Sequence, residues 1–66
     1  MNFQEILQKL IYGRKVRRQS WREGLWIESN GETVRLYLME KEGKRLIDVD
    51  TQFSLDDVMA EDWELF

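Results

Sequence analysis

The chain has 66 residues, a net charge of −3, and neither cysteine nor histidine. It has room for a single domain, residues 1–66. The missing residue types exclude disulfides, thiolate nucleophiles, imidazole bases and the common zinc sites. A domain this small buries only about 60% of its unfolded surface, so self-association is the remaining way to reinforce the fold, and a homo-oligomer is expected.

The N-terminal stretch has helical periodicity. Phe3, Ile6, Leu7, Leu10 and Ile11 recur at i, i+3, i+4, i+7 and i+8, the apolar stripe of an amphipathic helix. Asn2 is placed to cap it, Glu5 completes a capping box, and Gly13 suits the left-handed residue that ends a helix. The pattern predicts a helix over 3–12.

Beyond Gly13 the period changes to two. Val16 sits between charged neighbours as a short strand, and Leu25 and Ile27 alternate with Trp26 and Glu28. Asn30-Gly31 predicts a type I′ hairpin turn. Val34, Leu36 and Leu38 then share one strand face, with Arg35, Tyr37 and Met39 on the other. A turn at Glu42-Gly43 leads to a strand in which Ile47 and Val49 share a face, so residues 24–50 read as a three-stranded antiparallel meander.

Ser54 caps a second, short helix with Asp57 at its third position, and residues 62–66 alternate as a closing strand. The predicted class is α+β, an N-terminal helix packed on a small antiparallel sheet with a short second helix near the C-terminus. With Leu25, Ile27, Val34, Leu36 and Leu38 beneath the first helix, the other face presents Trp26, Arg35 and Tyr37. That is a composition suited to a subunit interface.

Charge divides the chain. Through Arg22 there are six basic residues against the single acid Glu5, a net +5; from Glu23 onward four basic residues meet twelve acids, a net −8. Two halves that pair with each other, within or between copies, account for this most simply. The basic half contains VRRQSWREGLW (16–26), cations interleaved with aromatics, the composition of a nucleic-acid surface. The acidic remainder would repel a long polyanion, which disfavours nucleic acid. A small anionic ligand needs only one local pocket.

Two uses of Trp21 and its arginines remain open. Either the indole belongs to the core and the arginines pair with C-terminal acids, or they contact a ligand. On the second reading Arg18 is a surface side chain whose removal leaves stability nearly unchanged. No run of residues approaches a membrane-spanning length, and MNFQEILQKL lacks a basic leader before a hydrophobic block, so a cytoplasmic protein is expected.

Catalytic patterns are absent. Gly13, Gly24, Gly31 and Gly43 lie in separate turns and build no phosphate-cradling loop. Asp56, Asp57, Glu61, Asp62 and Glu64 have the chemistry for magnesium or acid–base work. A dipole-matched helix start and a polar strand face explain them equally well. Neither enzymatic activity nor a metal or other cofactor is expected.

The two ends of the chain carry a resemblance. MNFQEILQKLIYGRKVRRQSW resembles the opening of the Thoeris anti-defence proteins of the second type: an amphipathic helix, a glycine, a basic strand, then arginine-arginine-x-x-tryptophan. FSLDDVMAEDWEL resembles their closing signature, a serine, an aspartate three positions on, and alanine-glutamate-aspartate-tryptophan-glutamate. The matched segments cover about half of the chain. The middle departs from the family, because the plain hairpin WREGLWIESNGETV stands where typical members have a longer, glycine-rich insertion.

The resemblance implies a phage- or prophage-encoded oligomeric sponge that binds small nucleotide immune signals without cleaving them. These are cyclic ADP-ribose derivatives or cyclic dinucleotides, held at subunit interfaces. It carries Arg17, Arg18 and Trp21 over from the first signature, and Asp57, Asp62 and Trp63 from the second. Arginines would meet phosphates, indoles a base, and aspartates ribose hydroxyls or an amine. Trp63 and Asp62 also have a structural reading, the first in the core and the second holding an arginine. Some relatives are anti-CRISPR proteins, so the alternative is an inhibitor of a defence nuclease that presents its acidic half.

Overall fold

The computed structural model describes residues 1–66. In chain order the elements are α1 (Phe3–Ile11), β1 (Val16–Arg18), β2 (Leu25–Ser29), β3 (Val34–Glu40), β4 (Gly43–Asp48), α2 (Leu55–Met59) and β5 (Trp63–Leu65). The strands form one antiparallel sheet in the order β4-β3-β2-β1-β5. With helices at both ends of the chain, the class is α+β. Neither helix is long and apolar enough to cross a membrane.

The first helix begins as its sequence dictates. The Asn2 side chain accepts from the Glu5 backbone N–H at 2.9 Å, and the Glu5 carboxylate accepts from the Asn2 N–H at 3.0 Å. Two otherwise unpaired donors of the first turn are thereby satisfied. The helix ends at Ile11, with Tyr12 as its cap, and Gly13 follows at φ +77°.

Ile6 and Leu10 are fully buried against Val16, Ile27 and Trp63, and Val34 and Leu36 border this cluster. Leu38, also buried, lies beside Gly24 instead. The helix packs on β1, β2, β5 and α2 but not on the β3–β4 end of the sheet. Its apolar stripe is therefore covered on one side only: Leu7 is partly exposed, and Ile11 is 79% exposed.

The predicted meander forms, with two corrections. The loop after β2 is not a type I′ turn, because such a turn needs positive φ at both central residues and Asn30 does not have it. The Asn30 side chain instead accepts from the Glu32 and Thr33 N–H groups at 3.0 and 2.8 Å. This local bonding holds a four-residue loop, with Gly31 at φ +95°.

The second correction concerns Ile47 and Val49, which do not form a regular shared face. Leu36 pairs with Asp48 and Tyr37 with Leu46, which leaves Ile47 as a bulge, and the strand ends before Val49. A bulged, charged and wholly exposed edge resists pairing with a further strand.

The closing strand pairs with the strand nearest to α1 in sequence. Val16 lies opposite Leu65, Arg17 opposite Glu64, and Arg18 opposite Trp63. On its outer edge the Trp63 N–H donates to the Met1 carbonyl at 3.2 Å, and the Met1 ammonium donates to the Trp63 carbonyl at 2.7 Å.

Candidate functional site

Strand alternation sends Arg17 and Arg18 to opposite faces of the sheet. Arg18 shares the helix-covered face with its neighbour Trp63, whereas Arg17 and Glu64 lie on the open face. The two arginines have different surroundings, and the difference decides what each can do.

Arg18 is surrounded by carboxylates. Its Nε donates to Asp62 Oδ1 at 2.8 Å, and its Nη1 donates to Asp56 Oδ2 at 2.8 Å and to Asp57 Oδ1 at 3.0 Å. Two of the three partners are fixed by further bonds. Asp57 Oδ2 accepts from the Ser54 N–H at 3.0 Å while the Ser54 hydroxyl caps the Asp57 N–H at 3.1 Å, the capping box of α2. Asp62 Oδ2 accepts from the Ser20 N–H at 3.2 Å.

The titration behaviour agrees with this geometry. The hydrogen bonds that Arg18 donates to Asp56 and Asp62 hold its guanidinium further into its charged form. Asp62 is held below the ordinary carboxylate range chiefly by its bond from Arg18. Burial pushes Asp57 upward, yet the Ser54 N–H and Arg18 together outweigh it and leave this carboxyl lowered as well.

Trp63 and Trp21 lie next to this network. Trp63 is fully buried, its indole N–H donates to the Asp57 carbonyl at 3.0 Å, and Trp21 meets it edge-to-face at 5.4 Å. Phe3 and Phe53 complete the aromatic cluster. Of the six residues the sequence singles out for ligand contact, Arg18, Trp21, Asp57, Asp62 and Trp63 come together, and Arg17 lies across the sheet. One guanidinium among three carboxylates leaves local negative charge, which opposes an incoming phosphate. Arg18 is thus no free surface cation, and the expectation that its removal is neutral is corrected.

Arg17 is held mainly by neutral acceptors. Its Nη2 donates to the Trp21 carbonyl at 2.8 Å, its Nη1 reaches Glu64 at 3.5 Å, and its Nε is buried with no partner. Nearby, Trp26 stacks on Phe66 with centroids 4.6 Å apart and on Tyr37 at 5.5 Å, with Lys15 Nζ 5.1 Å from its ring centroid. Its indole N–H donates to Glu28 at 3.1 Å.

Trp26, Arg35 and Tyr37 do share the open face, as the register requires. Trp26, however, is fully buried beneath its own chain and is not presented to solvent. Arg35 is half-buried with an unpartnered Nε.

Arg17, Glu23, Gly24, Met39 and Phe66 line a groove of about 540 Å³ on this face. Two other grooves are lined by polar residues and glycine alone, one at the β3–β4 turn and one along α1. Phe66, Met39 and Gly24 were not singled out as site residues from sequence. Alternation puts Glu64 and Phe66 on one face, but only the β1–β5 pairing identifies that face as the one facing Arg17, and Asp62, just before β5, turns to Arg18 instead. No cluster of acidic side chains is arranged to hold a metal ion.

The family model described as Tad2-like, the Thoeris anti-defense 2-like domain, matches residues 1–66. Searches of curated proteins and of solved structures returned no match.

Proposed function

Because the chain belongs to the Thoeris anti-defense 2-like domain family, we propose that it counters a bacterial defence system by sequestering a small nucleotide signal. The ligand is a cyclic ADP-ribose-type or cyclic dinucleotide molecule, bound intact in the host cytoplasm by a homo-oligomer. The observation that carries this reading is the family match over residues 1–66, which takes in both end signatures and the shortened middle. Binding without turnover suits a chain with no histidine or cysteine, whose Asp57 and Asp62 are engaged by Arg18.

Within this reading the signature residues divide their work. Arg17 faces the ligand's phosphate, and Trp21, whose carbonyl anchors Arg17, holds that guanidinium in place. Arg18, Asp57, Asp62 and Trp63 tie α2 and β5 to β1 on the other face and so support the strand that carries Arg17. Self-association is supported by the small core and by the exposure of Ile11, Tyr12, Leu55 and Met59, each more than 70% exposed. Trp26 gives the interface an internal support, with Arg35 and Tyr37 beside it.

The nuclease-inhibitor alternative is the weaker reading, since Asp57, Asp62 and Glu64 direct their charge to the protein's own arginines. Equilibrium dialysis against a panel of cyclic ADP-ribose isomers and cyclic dinucleotides, run beside a pull-down from bacterial lysate, separates the two. Accumulation of one nucleotide on the protein side supports the sponge. Failure to concentrate any nucleotide, with stoichiometric capture of a basic nuclease, overturns it.

A further inference from the structure

We infer that the groove on the open face of the sheet is a binding site for a purine nucleotide, with Phe66 as the stacking surface and Arg17 as the phosphate contact. This inference rests on the nucleotide-binding reading and adds to the signature residue Arg17 a place for the base, at Phe66, that neither terminal signature indicates.

Three features of the groove support the assignment. The first is chemical mixture: of the three grooves, this one has apolar lining, Met39 and Phe66, beside a guanidinium and a carboxylate. Its volume, about 540 Å³, lies in the roughly 300–1,000 Å³ range of small-molecule sites.

The second is a supported aromatic face. Phe66 is stacked on Trp26 at 4.6 Å with 25° between the ring planes, and 46% of its surface remains exposed. One side of the ring rests on the sheet and the other is open to a base, an arrangement that favours stacking because the ring is already ordered.

The third is the charge balance. Arg17 has one carboxylate neighbour, Glu64, whose oxygen is 3.5 Å from Nη1, and its other terminal nitrogen is held by the neutral Trp21 carbonyl. Arg18, by comparison, has three carboxylates within 3.0 Å. A phosphate that approaches Arg17 therefore meets less competition than one that approaches Arg18. Glu23, on the rim, is an acceptor for a ribose diol or an exocyclic amine. Gly24 keeps the floor open, since at φ +92° it disfavours any side chain, and an added Cβ would lie 3.4 Å from Leu38 Cδ1 and 3.6 Å from the Met39 carbonyl oxygen.

The test is an amide and arginine-Nε NMR titration of the intact protein with ADP-ribose, which joins a purine to two phosphates. Adenosine and inorganic pyrophosphate serve as half-ligands. The expected result is a set of shifts centred on Arg17, Gly24, Met39 and Phe66, with Ser20 and Asp57 unmoved. Phe66→Leu keeps an apolar cover over Trp26 but removes the ring, and should weaken ADP-ribose about tenfold, with Phe66→Tyr restoring it. Arg17→Gln should weaken ADP-ribose and pyrophosphate but leave adenosine unchanged.

Shifts centred on Ser20, Asp57 and Asp62, or unchanged affinity in a folded Phe66→Leu variant, would overturn the groove while the nucleotide reading stands. No shifts with ADP-ribose would also reject the groove. If every nucleotide of the dialysis panel is silent too, the nucleotide reading falls with it.

Discussion

Arg18 and its three aspartates make the sharpest stability prediction, because deleting the cation leaves three carboxylates facing one another. Arg18→Ala should lower the melting temperature by roughly 5 °C or more, whereas Arg14→Ala, at an exposed position, should be near neutral. Arg18→Lys should recover only part of the loss, since an ammonium cannot reproduce the planar fork that reaches Asp62 from Nε and Asp56 and Asp57 from Nη1.

The lowered Asp57 and Asp62 set the sign of the pH dependence. Their contribution is complete above the ordinary carboxylate value near 3.8 and is lost as pH falls below it toward their lower folded values. Thermal melts should therefore show a steep fall in stability below about pH 4. Arg18→Ala should flatten that part of the profile, and an equally steep fall in the variant would assign the acid loss elsewhere. The opposite facing of Arg17 and Arg18 was readable from strand alternation alone. The trio around Arg18 was not, because Asp56, Asp57 and Asp62 reach it only through the pairing of β1 with a strand 44 or more residues away.

The second helix shows how local signals and tertiary contacts depend on one another. Five residues are too few for a helix to persist alone, so α2 relies on its capping box and on its contact with Arg18. Ser54→Ala should cost about 1 kcal/mol in urea unfolding. It removes the acceptor of the Asp57 backbone N–H, while Asp57 Oδ2 keeps the backbone N–H of residue 54 and Oδ1 still faces Arg18.

For α1, α2 and the meander, the sequence was sufficient, since each is specified by periodicity, caps and glycines within a dozen residues. It failed where two local solutions competed. Asn30-Gly31 satisfies a tight turn on paper, yet the Asn30 side chain bonds Glu32 and Thr33 and opens the loop to four residues. In the edge strand, alternation cannot register the bulge at Ile47, which arises from the pairing with Leu36 and Tyr37.

Taken as a whole, the molecule stands on a very small core. Seven of its 66 residues are fully buried, and a domain of this length has a total stability of about 3–10 kcal/mol. Ile6→Ala, which opens a cavity between α1 and the sheet, should remove about 2–5 kcal/mol of that. Urea titration should find the variant largely unfolded or with a sharply lowered midpoint. The uncovered apolar residues at the end of α1 and along α2 lead to a matching prediction, that sedimentation at micromolar concentration gives a mass above the monomer. An ideal monomer with native stability would show that the small core suffices alone.

Recovery of a bound nucleotide in unaltered form addresses sequestration most directly. The purified protein is incubated with cyclic ADP-ribose isomers and cyclic dinucleotides, freed of unbound ligand, heat-denatured, and the released material identified by mass spectrometry. A sponge releases one of these nucleotides chemically unchanged and in fixed ratio to protein, and Arg17→Gln retains much less of it. Release of nothing, or only of cleaved products, would contradict sequestration.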